Sequence, residues 1–140
     1  MKVCVLFLFL ISLPALGGWS QKARSFLPKK VALIEPGKTD REGARKLLGK
    51  PDLVKGGKEY WVVDGFKFAV ELSYQENKVS SLHYNFPEKK FGLEALKGGV
   101  DPKLLKRSPV SPHTSLVYED AEGKMEVELT SGQVESVRFP

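Results

Sequence analysis

The sequence predicts an α+β, two-layer fold in which two tandem units, each a helix followed by a three-stranded antiparallel meander, share one sheet. Three observations predict it. Apolar residues recur at helical spacing over residues 40–48 and then alternate from Lys58 onward. Turn residues punctuate the alternating part at Asp64-Gly65 and Gln75-Glu76-Asn77. The segment KFAVELSYQENKVSSLHYNFP, ending at Pro87, matches KMEVELTSGQVESVRFP, ending at Pro140, with short gaps at the turn and near the end, so the chain reads as duplicated. A half of about 50 residues buries too little apolar surface to stand alone, so the halves are expected to share a core.

Residues 1–17 read as a secretory signal peptide: Met1-Lys2 supplies the positive start, Val3 to Leu13 an apolar run, and Ala15 and Gly17 the small residues that a signal peptidase reads. Cleavage is expected after Gly17, or else after Ser20. The run is shorter than the roughly 20 apolar residues that a membrane span needs. Its one cysteine, Cys4, sits inside the run rather than just past it, so no lipid attachment is expected. The mature chain is therefore expected to be periplasmic or extracellular, with no transmembrane segment or lipid anchor.

Residues 18–35 mix lysines with apolar residues without period and read as an extended lead-in. The first unit spans 36–87. Pro36-Gly37 breaks the chain, Thr39 or Asp40 caps a helix with Glu42 in capping-box position, and Ala44, Leu47 and Leu48 form the apolar side. Gly49 and Pro51 end the helix. Strands follow at Glu59–Val63, Phe66–Tyr74 and Lys78–Phe86. A two-residue loop at Asp64-Gly65 sets Val63 opposite Phe66 and Trp61 opposite Phe68. A three-residue loop at Gln75-Glu76-Asn77 sets Phe68 opposite Tyr84 and Phe66 opposite Phe86. The second unit, 88–140, is degenerate: Phe91 to Leu96 suggests a turn of helix, Leu104 to Pro109 echoes the end of the first helix, and strands follow at Ser115–Glu119, Lys124–Thr130 and Gln133–Phe139. In this alignment Lys67, Val70, Glu71 and Leu72 correspond to Lys124, Val127, Glu128 and Leu129.

Gly37 and Thr39 before the helix, Leu48-Gly49 with Pro51 at its end, and an aromatic first strand with Trp61 resemble the SmpA/BamE outer-membrane lipoprotein domain. The doubled arrangement is similar to the related tandem-repeat fold of β-lactamase-inhibitor-like proteins. The resemblance covers about 50 residues. It implies an exported protein of the cell envelope that binds other proteins, with no cofactor and no catalysis. The matching residues shape turns and the helix, so the resemblance assigns no binding residue.

The mature chain keeps a mild positive excess, from a formal charge of +5 overall. Once Cys4 has left with the leader, no thiol or disulfide chemistry remains. No glycine-rich loop stands in phosphate-binding order, and the basic stretches are interleaved with acidic residues, so neither nucleotide nor nucleic acid is expected as a partner. His83 and His113 have no companion at metal or triad spacing, so neither a metal nor a catalytic residue is expected. The surface singled out is the sheet face opposite the helices. Alternation places Tyr60, Val62, Lys67, Glu71, Ser81 and His83 there from the first unit, with Lys124, Glu126, Glu128 and Arg138 from the second. Tyrosine and arginine flanked by mixed charge suit a docking surface for an envelope or secreted protein. Two other readings stand beside it: a structural factor in outer-membrane assembly or envelope stabilisation, and an enzyme of unknown class built around His83.

Overall fold

Alternation of apolar and polar residues makes strands, and in the computed structural model they join into one antiparallel sheet. The structure describes residues 19–63, 66–86, 96, 100–111 and 113–140. Its strands are β1 (Leu53–Lys55), β2 (Lys58–Val63), β3 (Phe66–Gln75), β4 (Lys78–Asn85), β5 (Lys106–Arg107), β6 (Ser115–Glu119), β7 (Lys124–Thr130) and β8 (Gln133–Phe139). They lie in the order β1-β2-β3-β4-β8-β7-β6-β5. Residues 1–17, read above as a signal peptide, the Asp64-Gly65 turn and most of Phe91 to Leu96 lie outside the described residues.

This architecture overturns the expected pair of helix-plus-meander units. The described residues are dominated by an eight-stranded sheet with three short α-helices, α1 (Gln21–Arg24), α2 (Lys29–Ala32) and α3 (Arg41–Leu48), all between residues 21 and 48. No helix precedes the second set of strands among the described residues. Where Leu104 echoes Leu47, Pro102 and Pro109 permit only a 3-10 turn over Pro102–Leu104, and the chain then extends into β5. Each half thus contributes four strands, the edge strands β1 and β5 having been too short to show a period.

The lead-in at 18–35 is not extended. Ser20 caps α1 by accepting from the Ala23 N–H at 3.2 Å, and Ala23, Val31 and Ile34 are fully buried. These residues cover the second half in place of a helix of its own. Trp19 packs on Phe139 with ring centroids 5.8 Å apart and donates from Nε1 to the Pro140 carbonyl at 3.1 Å. Phe26 stacks on both Phe86 and Phe139. Ser20 donates to Asp120 at 2.5 Å, and the Gln21 N–H donates to Glu122 at 2.9 Å, tying the segment to the β6–β7 turn. The buried guanidinium of Arg24 donates to the carbonyls of Ala32 and Ile34, closing α1 onto the end of α2.

Helix α3 begins where the sequence indicates: Asp40 Oδ1 accepts from the Gly43 N–H at 2.7 Å. Thr39 instead accepts from the Glu35 N–H at 2.9 Å. Gly49 ends the helix at φ 87°, a conformation that a side chain would resist. Its carbonyl accepts from Trp61 Nε1 at 2.9 Å, fixing the helix end to β2. The helix body is held by Glu59, which is fully buried on β2 and accepts from Arg41 Nη1 at 3.2 Å, from Arg45 and from the Tyr74 hydroxyl at 2.9 Å. Arg41 also lies over the Tyr74 ring, 4.3 Å from its centroid.

The β3–β4 connection differs from the three-residue loop expected. It is a two-residue turn in which Glu76 and Asn77 both have positive φ, the type I′ geometry that matches strand twist. A bulge between Ser73 and Tyr74 then shifts the register, so Val70 rather than Phe68 faces Tyr84. A second irregularity between Trp61 and Val63 leaves Val63 opposite Phe66 as expected but puts Trp61 opposite Val70. The Trp61–Val63 shift preserves which face each side chain occupies, whereas the bulge on β4 moves Val79 to the buried face with Leu82 and Tyr84.

The β7–β8 hairpin repeats these features, with Ser131 and Gly132 at positive φ and a bulge between Glu128 and Leu129. One constant offset therefore relates the hairpins without a gap: Glu76 matches Ser131, Ser73 matches Glu128, and Glu71 matches Glu126 rather than Glu128. By the same offset His83 matches Arg138, and these two residues face each other across the central β4–β8 pair. The two halves of the sheet are thus related by an approximate twofold axis through the His83–Arg138 pair.

Truncating Glu59 to Ala strands two guanidinium groups and the Tyr74 hydroxyl, and is expected to cost about 3 kcal/mol of stability. Urea denaturation with an unchanged m-value checks this, and Lys46→Ala on the outer side of α3 is expected to shift the midpoint by a few tenths of a kcal/mol at most.

Candidate functional site

Residues on one face of a sheet recur at every second position, and antiparallel pairing lines them up across strands. Pairing from strand to strand runs Leu53, Tyr60, Glu71, His83, Arg138, Glu126, Val117, Lys106, one residue from each of the eight strands. Five of the ten residues singled out in the sequence, namely Tyr60, Glu71, His83, Glu126 and Arg138, thus form one continuous cross-strand row. Flanking it, Ser81 faces Ser73, Lys124 pairs with Glu126 at 3.2 Å, and Glu128 accepts from Ser136 Oγ at 2.7 Å. Val62 lies toward the open end of β2, where its N–H donates to Asp52 Oδ2 at 2.7 Å. Lys67 is in β3, and its side chain lies outside the described part of the structure.

The charges on this face are cross-paired. Lys58 Nζ lies 2.9 Å from Glu71, and Arg138 lies 4.0 Å from Glu128. At the centre His83 stands between two carboxylates, its Nδ1 3.6 Å from Glu71 and its Nε2 3.8 Å from Glu128. Its Nε2 is buried without a hydrogen bond among the described residues. Burial of the ring, reinforced by Arg138 opposite, holds the imidazole below the ordinary histidine value in spite of the two carboxylates. Burial pushes the Glu71 carboxyl up, but the Lys58 hydrogen bond and charge outweigh it, and the net direction is down. Near neutral pH the face therefore presents an uncharged imidazole inside a lattice of paired ions.

Sequence reasoning placed Ser136 on this face but missed Lys58, Val117 and Lys106. Lys58 shares the alternation of Tyr60, so period alone could have placed it on this face. Lys106 belongs to a two-residue strand that carries no period of its own. Among the described residues no group of three carboxylates, histidines or cysteines is gathered in a way that could hold a metal.

No family model matches the chain, and no curated protein matches it. Among solved structures it is similar to a DUF4309 family protein, YjgB, from Bacillus subtilis, at a TM-score of 0.55 and 16% identity over 85% of this chain and 89% of that one. That likeness is one of fold. A cysteine-rich secretory protein from Staphylococcus aureus aligns with a TM-score of 0.31 and 14% identity over 74% of this chain, which spans 45% of that protein. Neither comparison points to the SmpA/BamE or inhibitor-like group.

Because the folded pKa of His83 lies below its unfolded value near 6.5, the unfolded chain binds the extra proton first as the pH falls. The contribution of His83 to stability is therefore complete above that value and declines as the pH drops below it. Stability measured by denaturant from pH 7.5 to 5 is expected to fall less steeply in His83→Gln than in the parent chain, and equal slopes would contradict the sign.

Proposed function

We propose that this chain is an exported, non-enzymatic module of the cell envelope that binds another protein through the outward face of its sheet. The observation carrying this reading is the row from Tyr60 through Glu71, His83 and Arg138 to Glu126. It gives a preformed surface across the sheet, held in place by the cross-strand pairs Lys58–Glu71 and Arg138–Glu128 and by Lys124–Glu126 within β7. A rigid surface loses little side-chain freedom when a partner docks, and Arg138 at the centre with Tyr60 toward one edge suit anchoring positions. Each ion pair is already satisfied, so the face favours a partner with matched polar groups over one of strong single-sign charge.

Export rests on the leader-like residues 1–17, and the fold bears on where the leader ends. Trp19 and Ser20 are buried and bonded to Pro140 and Asp120, so cleavage after Ser20 would strip out residues that close the core. Cleavage after Gly17 keeps both. N-terminal sequencing of the exported protein is expected to begin at Gly18, and a start at Gln21 would overturn this assignment.

The binding reading is tested by affinity capture with residues 18–140 from envelope extract of the native organism. The control is the triple variant Tyr60→Ala, Lys67→Ala, Arg138→Ala, shown by circular dichroism to be folded. A protein held by the parent and released by the variant supports the face as the docking surface. Capture that survives all three changes refutes it.

A further inference from the structure

Arg41, Arg45, Lys58, Lys124, Lys38 and Arg138 each have a carboxylate within 4.0 Å. Lys29 and Lys30, side by side at the start of α2, are among the cations with no ion-pair partner among the described residues, and they are the two that line an apolar-walled cleft. They stand over a cleft of 340 Å³ between α2, the end of α3 and the end of β2.

The floor of this cleft is apolar. Val31 is fully buried beneath it, Leu48 and Val63 are half-buried along its walls, and Val62 is 38% exposed at its mouth. Pro28 closes one end, and Leu33, 61% exposed, lies just past α2, four residues after Lys29. An apolar floor under two uncompensated ammonium groups is complementary to a molecule that is aliphatic at one end and anionic at the other. The volume lies at the small end of the range for ligand cavities, about 300–1,000 Å³. It suits one medium-length acyl chain and leaves no room for a diacyl lipid or a folded peptide.

We propose that this cleft binds a single-chain anionic amphiphile, a medium-length fatty carboxylate, with the chain against Leu48, Val62 and Val63 and the carboxylate at Lys29 and Lys30. The lysines lie on the water side of the cleft, so the head group remains partly hydrated and need not meet the cost of a fully buried ion pair. Their attraction selects the sign of the head group, while the apolar floor sets the preferred chain length.

The test is isothermal titration of residues 18–140 with sodium decanoate held below its micelle concentration. Decyltrimethylammonium serves as the control of opposite charge. Saturable one-to-one binding of decanoate, absent for the cation, is expected. Lys29→Gln with Lys30→Gln should weaken it at least tenfold, and Val62→Glu should abolish it, both in chains whose circular dichroism matches the parent. No saturable decanoate binding by the folded parent overturns the proposal, as does equal binding by the double lysine variant. Flotation with phosphatidylglycerol vesicles, without binding of free decanoate, would identify the lysines as a membrane-surface patch and overturn it equally.

Discussion

A carboxylate with no water around it, Glu59, holds the first half of this molecule together. An isolated charge in that position would be prohibitively costly, and the fold meets the cost with two guanidinium groups and a phenol directed at one pair of oxygens. Burial pushes the Glu59 carboxyl up, but the Arg45 and Tyr74 hydrogen bonds and the arginine charges outweigh it, so the net direction is down and it stays ionised. Burial, reinforced by the hydrogen bond to Glu59, pushes the Tyr74 hydroxyl well above its ordinary value, so it remains a donor. Because Arg41 and Arg45 are one turn apart on α3, only one rotation of the helix satisfies the carboxylate. That rotation brings the Gly49 carbonyl to Trp61 and gives α2 a helix to pack against. The network thus sets orientation, which apolar packing would leave looser.

Much of the sheet could be read from period and turn residues. Strands β6, β7 and β8 have the bounds that alternation implies, and α3 starts on the expected cap. Register was harder: Val79, Leu82 and Tyr84 on β4 and Val134, Val137 and Phe139 on β8 break strict alternation at the two bulges, but period alone does not name the partner that each residue takes. The N-terminal helices were unreadable for another reason. Four-residue helices have too few turns for a period, and Trp19, Phe26 and Arg24 acquire their roles from Phe139, Pro140 and Ile34, residues up to 121 positions away. The outward row was legible as a face, since facing depends only on parity, whereas its ion pairs depend on register and so appeared only in the structure.

The distribution of surface chemistry follows the same geometry. The centre of the outward face, where both halves meet, carries paired charges and a neutral imidazole. The exposed large apolar side chains, Leu33, Leu53, Val54, Val62, Leu104 and Val110, gather instead beside the two lateral ends of the sheet. The short edge strands carry Lys55, Lys106 and Arg107, charges that hinder another sheet from adding to the ladder.

Strand β8 has a position with a temporal meaning. It is the last strand of the chain and lies at the centre of the sheet, between β4 and β7. Nothing joins the two halves of the ladder until residues 133–139 are present, so the molecule cannot close around a partial chain. Its decisive contacts are distant in sequence, which makes closure slow relative to hairpin formation. The ladder is complete once β8 pairs with both β4 and β7, and that pairing is what brings Phe139 against Trp19.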